Sequence, residues 1–114
     1  IDIFVGDIFQ VSREMLSPVD AVYDRAALVA LPAEVRQRYP AHLMEITATA
    51  PQLLICYEYD QALQAGPPFS VGRKELHRHY CESYRLTLLD SVDVAGGLKG
   101  KCPAKENVWL LNKR

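Results

Sequence analysis

Hydrophobic positions along this chain follow two periods, and the changes between them mark the elements. Ile1 to Val5 is β-branched and aromatic and ends at Gly6-Asp7, which predicts a first strand with a carboxylate exposed at its C-terminal end. Ser12 can cap one helical turn running to Leu16, where Ser17-Pro18 stops it. Asp20 to Tyr23 predicts a short buried strand that ends at Asp24-Arg25. Two charges set abruptly beside the longest apolar run, Ala26 to Leu31, mark a candidate site.

From Pro32, which suits a first helical position, Val35, Tyr39, Leu43 and Ile46 keep one face at helical spacing. Pro40 predicts a kink or break in that helix. It has no N–H, and its ring meets the carbonyl of Arg36, a defect of about 3 kcal/mol in a regular helix. Gln52 to Tyr59 is the strongest strand signal, because Leu53-Leu54-Ile55-Cys56 is a continuous apolar run of the kind found in sheets covered on both faces. Gly66-Pro67-Pro68-Phe69 reads as a shaped loop in which two prolines fix an extended path presenting an aromatic ring. Ser70 is placed to cap a helix containing Leu76 and Tyr80, and Tyr84 to Leu89 and Val108 to Leu111 read as two closing strands.

Strands alternating with helices, in the order β-β-α-β-α-β-β, predict an α/β sheet with parallel central strands and the ligand beyond their C-terminal ends. Asp7, Arg25 and the stretch from Tyr59 to Phe69 each follow an expected strand, so all three should gather along one edge of the sheet.

Composition narrows the partners. At 114 residues there is room for one domain. Thirteen basic against fourteen acidic side chains, a net charge of −1, leave no broad cationic face for a phosphate backbone, which excludes nucleic acid as an expected partner. The apolar run from Ala26 to Leu31 falls far short of the roughly 20 residues a helical bilayer span requires. Cys56, Cys81 and Cys102 are odd in number and widely spaced, which fits a reducing compartment and points to the cytoplasm. Cys56 lies inside an apolar run and reads as a core thiol. The opening residues lack both an initiator Met and a signal-peptide order, as though the chain began inside a strand. His77, His79 and Cys81 would share a face only on a strand. On the expected helix, residues two apart diverge by about 200°, so no metal site is assigned. Gly96, Gly97 and Gly100 do not make a phosphate loop, because Ala95 and Cys102 stand where that loop needs glycine and Ser/Thr.

Three phrases, in order, resemble one family. Gly6-Asp7-Ile8-Phe9 looks like a turn after a third strand, and Tyr23-Asp24-Arg25-Ala26-Ala27-Leu28-Val29-Ala30-Leu31-Pro32 like a fourth strand and its following helix. Glu58-Tyr59-Asp60-Gln61 with Gly66-Pro67-Pro68-Phe69-Ser70-Val71 looks like the loop after a fifth strand. Together they resemble thiopurine S-methyltransferase over essentially the whole chain, but only the C-terminal half of that family's fold. The resemblance implies a Rossmann-like, S-adenosylmethionine-dependent methyltransferase with an antiparallel closing pair of strands. It also implies that the N-terminal half of the same domain, with its glycine-rich turn and ribose-binding acid, lies outside this sequence and is a partner.

Carried over residue by residue, the resemblance puts Asp7 and Ile8 beside the adenine end of the cofactor. Arg25 falls near the transferring methyl, able to grip the methionine carboxylate or an anionic sulfur acceptor. Pro67, Pro68 and Phe69 become an apolar wall against a small aromatic or heterocyclic thiol. Two positions depart from the family: Gly96 stands where the family has an arginine before Gly-Leu-Lys, and Pro40 interrupts the expected helix. The plain alternatives are a turn-forming carboxylate at Asp7, an Arg25 paired with Asp24 or Asp20, and a Phe69 that plugs the core. At the level of function they are a methyltransferase for selenium or tellurium species or halide and thiocyanate ions, and a non-catalytic half-domain that only packs or interacts.

Overall fold

A computed structural model describes residues 1–114, with strand β1 at Val22–Asp24, helices α1 at Ala33–Arg36 and α2 at Tyr39–Thr47, strand β2 at Gln52–Tyr59, helix α3 at Arg73–Tyr80, and strands β3 at Tyr84–Asp93 and β4 at Ala104–Lys113. They build a mixed four-stranded sheet in the order β1-β2-β4-β3. Only β1 and β2 are parallel; β4 runs antiparallel to both β2 and β3.

The long apolar run places β2 near the centre of the sheet, with the bounds its pattern predicts. Its alternate residues Gln52, Leu54 and Cys56 face inward and meet Leu111, Trp109 and Asn107 across β4. Against that face pack Leu28, Val29, Tyr39, Leu43, Ile46, Leu76, Tyr80 and Tyr84, giving one core of thirteen buried residues. Fully burying side chains of this size contributes about 1.5–3 kcal/mol each, so this layer holds the fold.

The other face carries no helix. Tyr23 is 62% exposed and Leu53 37% exposed. Beside them Ile55, Val108 and Leu110 are half-buried. The expectation of a sheet covered on both sides is therefore wrong for this chain: the run is apolar throughout, but only its even-numbered half is covered.

Several other expectations need correction. Ile1 to Val5 forms no strand and stands exposed. Strand propensity becomes a strand only beside a partner, and no ladder reaches these residues. Instead Gly6-Asp7 leads into a single 3-10 turn, Ile8–Gln10, laid along α2, where His42 Nε2 donates to the Ile8 carbonyl at 2.7 Å. Ser12 does precede one turn, Arg13–Met15, and its N–H donates to the Met15 sulfur at 3.4 Å. The strand expected at Asp20 to Tyr23 lies at Val22–Asp24, because its pairing with β2 starts at Val22 opposite Gln52. Its inward residue is Asp24, while Tyr23 points out.

The long helix breaks as its proline requires. α1 ends at Arg36, and Pro40 becomes the second residue of α2, where a missing N–H leaves nothing unpaired. Pro32 sits one position before α1 rather than inside it. Ser70 does not cap α3, which starts after Gly72; its hydroxyl accepts from the Tyr59 N–H at 3.0 Å. The closing strands are ten residues each, longer than their apolar stretches, because Ser91 and Asp93 pair across the hairpin with Asn107 and Lys105. A bulge between Leu88 and Asp90 interrupts that ladder. Gly97 closes the hairpin at φ 77°, where a Cβ would sit 2.4 Å from the Cys102 carbonyl oxygen, so no larger residue fits. None of the helices is long and apolar enough to cross a membrane.

Candidate functional site

The parallel pair sets the site, because the C-terminal ends of β1 and β2 open on the same side of the sheet. Alternation along β1 sends neighbouring charges to opposite faces. Asp24 turns inward and is 3% exposed, accepting from Tyr39 Oη at 2.9 Å and the Leu28 N–H at 3.3 Å. Burial raises its pKa, opposed by the Tyr39 hydroxyl and the N–H groups of Leu28 and Ala27. Arg25 turns outward and is exposed, in no ion pair with Asp24, Asp20 or any other acid. Tyr23 first, then Glu106 and Tyr57, hold its pKa above the usual arginine value. Those three residues share the bare face, so the guanidinium stands over it.

Beyond β2 the chain returns to the strand it has just left. Ser70 pairs in parallel with Tyr57, and the Val71 N–H donates to the Tyr57 carbonyl at 2.9 Å, taking the place beside β2 that β1 vacates. One amide organises the enclosed loop. Gln61 Nε2 donates to the Gln64 carbonyl at 2.7 Å and Tyr59 Oη at 3.0 Å, while its Oε1 accepts from the Ser70 N–H at 2.9 Å. Tyr59 Oη in turn donates to the Pro68 carbonyl at 2.5 Å.

Pro67 is exposed, and Pro68 and Phe69 are half-buried. The expected extended path does not occur. Both peptide bonds before the prolines are cis, and the Phe69 ring folds back on Gly66, where a Cβ would come within 2.7 Å of it. Gly66, at φ 92°, is therefore required by the ring as well as by the backbone. Phe69 N–H donates to the Val29 carbonyl at 2.6 Å, and Lys99 from the hairpin tip reaches the Pro67 carbonyl at 2.8 Å. The segments after β1 and β2 and the hairpin tip thus form one rim. Next to it a cleft of about 750 Å³ runs between Glu58, Asp93, Lys101 and Lys105.

Arg25 and the Pro67 to Phe69 loop are brought to one end of the sheet. Asp7 and Ile8 are not gathered with them, because the strand expected to deliver them is absent. They border an apolar groove of about 520 Å³ along Leu43, Ile46 and Thr47 of α2. Asp7 Oδ1 accepts from the Phe9 N–H at 3.0 Å, and its second carboxylate oxygen has no partner.

The histidines of α3 diverge as helical geometry requires: His79 meets Glu75, and the His77 ring lies edge-on to Trp109. Cys56 is fully buried, and burial pushes its thiol pKa up, away from any nucleophilic role. Arg36, Glu75, Gln61 and Lys99 escape sequence reasoning. A charged residue beside a helix break, or a glutamine two residues after a strand, carries no period that separates it from surface. The phrase Glu58-Tyr59-Asp60-Gln61 was the one available signal, for Gln61.

The C-terminal ends of the parallel pair thus bring Arg25, which is in no ion pair, and the Pro67 to Phe69 loop to one rim of an α/β layer, the place where ligands of such sheets are expected. The thiopurine S-methyltransferase family model matches residues 1–114, and the chain belongs to that family. It is 57% identical over 113 residues to a thiopurine S-methyltransferase of Xanthobacter autotrophicus, covering 99% of this chain and 53% of that protein. A thiopurine S-methyltransferase of Gluconobacter oxydans is 50% identical over 98% of this chain and 51% of its own length. A probable thiopurine S-methyltransferase of Yarrowia lipolytica is 40% identical over 96% of this chain and 52% of its own length. The chain thus spans about half the length of the curated relatives it matches.

Proposed function

We propose that this chain is the C-terminal half of a Rossmann-like, S-adenosylmethionine-dependent methyltransferase domain of the cytoplasm, acting on the sulfur of small aromatic or heterocyclic thiols. The observation that carries the reading is an exposed Arg25 in no ion pair at the end of β1, on the same rim as Phe69, in a chain that matches the family throughout. The bare sheet face supports the half-domain part, with the rest of the domain as the partner that covers it.

The residues present suit the two ends of the cofactor. Arg25, planar and in no ion pair, suits a carboxylate bidentately. Asp7, with one oxygen free beside an apolar groove, suits an exocyclic amine and a flat ring, with Ile8 as its apolar neighbour. For Asp7 and Arg25 to serve one ligand, the segment before Gly6 must be laid as a strand by the rest of the domain. When bound, S-adenosylmethionine supplies an electrophilic methyl group on a sulfonium.

This chain's own residues then position and shield. Pro67, Pro68 and Phe69 wall off an aromatic acceptor, and Arg25 holds either the cofactor carboxylate or the acceptor's anionic sulfur. A thiolate needs no added base, and orienting two reactants is worth roughly 7–11 kcal/mol, so the lack of a catalytic triad is no obstacle.

Arg25→Ala in the complete protein tests this. A lost charge-assisted contact lowers kcat/KM roughly 10- to 150-fold while the melting temperature holds, and Arg25→Lys recovers part of the loss. Unchanged kinetics in a folded variant would reduce Arg25 to surface. Turnover of thiopurine, simple thiol, selenium and halide acceptors side by side fixes the acceptor class. The 114-residue chain alone should bind S-adenosylmethionine weakly or not at all; micromolar binding by calorimetry contradicts the half-domain reading.

A further inference from the structure

Arg36, Glu75 and His79 form a charged network that the chemistry proposed above does not use. Arg36 is 8% exposed. Its Nε donates to Glu75 Oε2 at 2.8 Å, its Nη2 lies 3.5 Å from Oε1, and its Nη1 donates to the Leu31 carbonyl at 2.6 Å. One helical turn along α3, His79 Nε2 reaches the same Oε2 at 2.9 Å. The guanidinium carbon lies 5.2 Å from the centroid of the Phe69 ring.

Taking such groups out of water is costly, and packed apolar side chains of similar size usually stabilise a fold as well or better. The contacts suggest what the network does instead. Through the Leu31 carbonyl it holds the segment that follows β1; through the ring it holds the loop that follows β2. Phe69 is held besides by its N–H on Val29 and by its ring against Gly66. An arginine fork fixed on two sides presents a flat, immobile cationic surface to that ring, which a lysine would not.

We propose that Arg36, Glu75 and His79 are positioning residues that set the angle of the Phe69 ring, so that they govern acceptor binding and leave turnover almost untouched. This rests on the reading of Phe69 as an acceptor wall. The network acts at a distance: none of its members needs to touch acceptor or cofactor. Its geometric requirement is the plane of the guanidinium, which Glu75 sets and His79 steadies by fixing the carboxylate.

The test uses the complete protein labelled with 4-fluorophenylalanine. The chain holds three phenylalanines, and Phe69→Leu assigns the resonance of interest. Glu75→Gln keeps the shape and removes the charge. We expect it to shift or broaden the Phe69 fluorine resonance while that of Phe9 stays, and to raise the acceptor KM roughly tenfold with kcat and the cofactor KM within about twofold. His79→Gln, which keeps a donor for Glu75, should change both readouts less than His79→Leu. Should Glu75→Gln fail to fold, Arg36→Lys carries the same expectations.

A fall in melting temperature with the resonance and the acceptor KM unchanged would show that the network only ties helices together, and would overturn the proposal. The acceptor reading fails separately, if Phe69→Leu leaves the acceptor KM unchanged; a role for the network in acceptor binding then falls with it. If Phe69→Leu raises that KM and Glu75→Gln does not, the site stands and the network proposal alone is wrong.

Discussion

Leu53 and Leu54 are the same residue type, one position apart on the same strand, and they live in different molecules as far as physics is concerned. Leu54 is fully buried among the helices, whereas Leu53 is 37% exposed on a face that nothing covers. The covered face has the marks of a finished interior: Asp24 accepts two hydrogen bonds there, and Tyr84 Oη serves both Gln52 and the Ala50 carbonyl. The bare face has apolar composition without closure. On the half-domain reading proposed above, this is the face that the rest of the domain covers. The difference teaches that an apolar run along a strand does not by itself say which of its two faces the chain covers.

The comparison breaks most readily at the leucines. Leu54→Ala should cost about 2–5 kcal/mol in urea unfolding, and Leu53→Ala under about 1 kcal/mol. Equal costs would mean that the bare face is covered in solution by self-association.

Two carboxylates of the covered side should respond oppositely to pH. Glu75 is lowered from 4.5, because although burial would raise it, Arg36 and His79 outweigh that effect. Its contribution to stability is therefore present above about pH 4.5 and lost as pH falls through its folded value. Asp24 is raised above 3.8, chiefly by burial, so stability falls as pH rises from about 4 through its folded value. Asp24→Asn should raise the melting temperature at pH 7, and Glu75→Gln should lower it. Both differences should shrink toward pH 3, which thermal scans across pH will check.

Leu53→Lys should weaken binding of a hydrophobic dye to the 114-residue chain while changing stability by only about 0.5 kcal/mol. Undiminished dye fluorescence would place the dye elsewhere. The smallest effect belongs to Arg25→Ala, which should leave the melting temperature of this chain where it is.

The sequence makes β2 legible to the residue because a run of apolar side chains has few other uses. The break before Pro40 is legible for a covalent reason, the missing N–H. Ile1 to Val5 misleads because propensity is local and pairing is not: the residues have the composition of a strand and no neighbour. Ser70 misleads for a different reason, since a hydroxyl before a helix can serve any nearby N–H, and here Tyr59 takes it. Of the candidate site, Arg25 and the Pro67 to Phe69 loop come from recognisable phrases. Arg36, Glu75 and His79 stay hidden, because residues 39 positions apart form an ion pair only once α1 and α3 are packed.

Adjacent residues on a strand differ in parity, and at the end of β1 parity carries chemistry. Asp24 takes the inward slot and Arg25 the outward one, with no intervening residue to absorb an error. Deleting a single residue between Val22 and Arg25 would exchange their sides, driving a guanidinium toward Tyr39 and a carboxylate over the open sheet. The polarity of the rim is thus written as an odd-or-even count along three residues. A length change there is a more drastic alteration than most substitutions at either position.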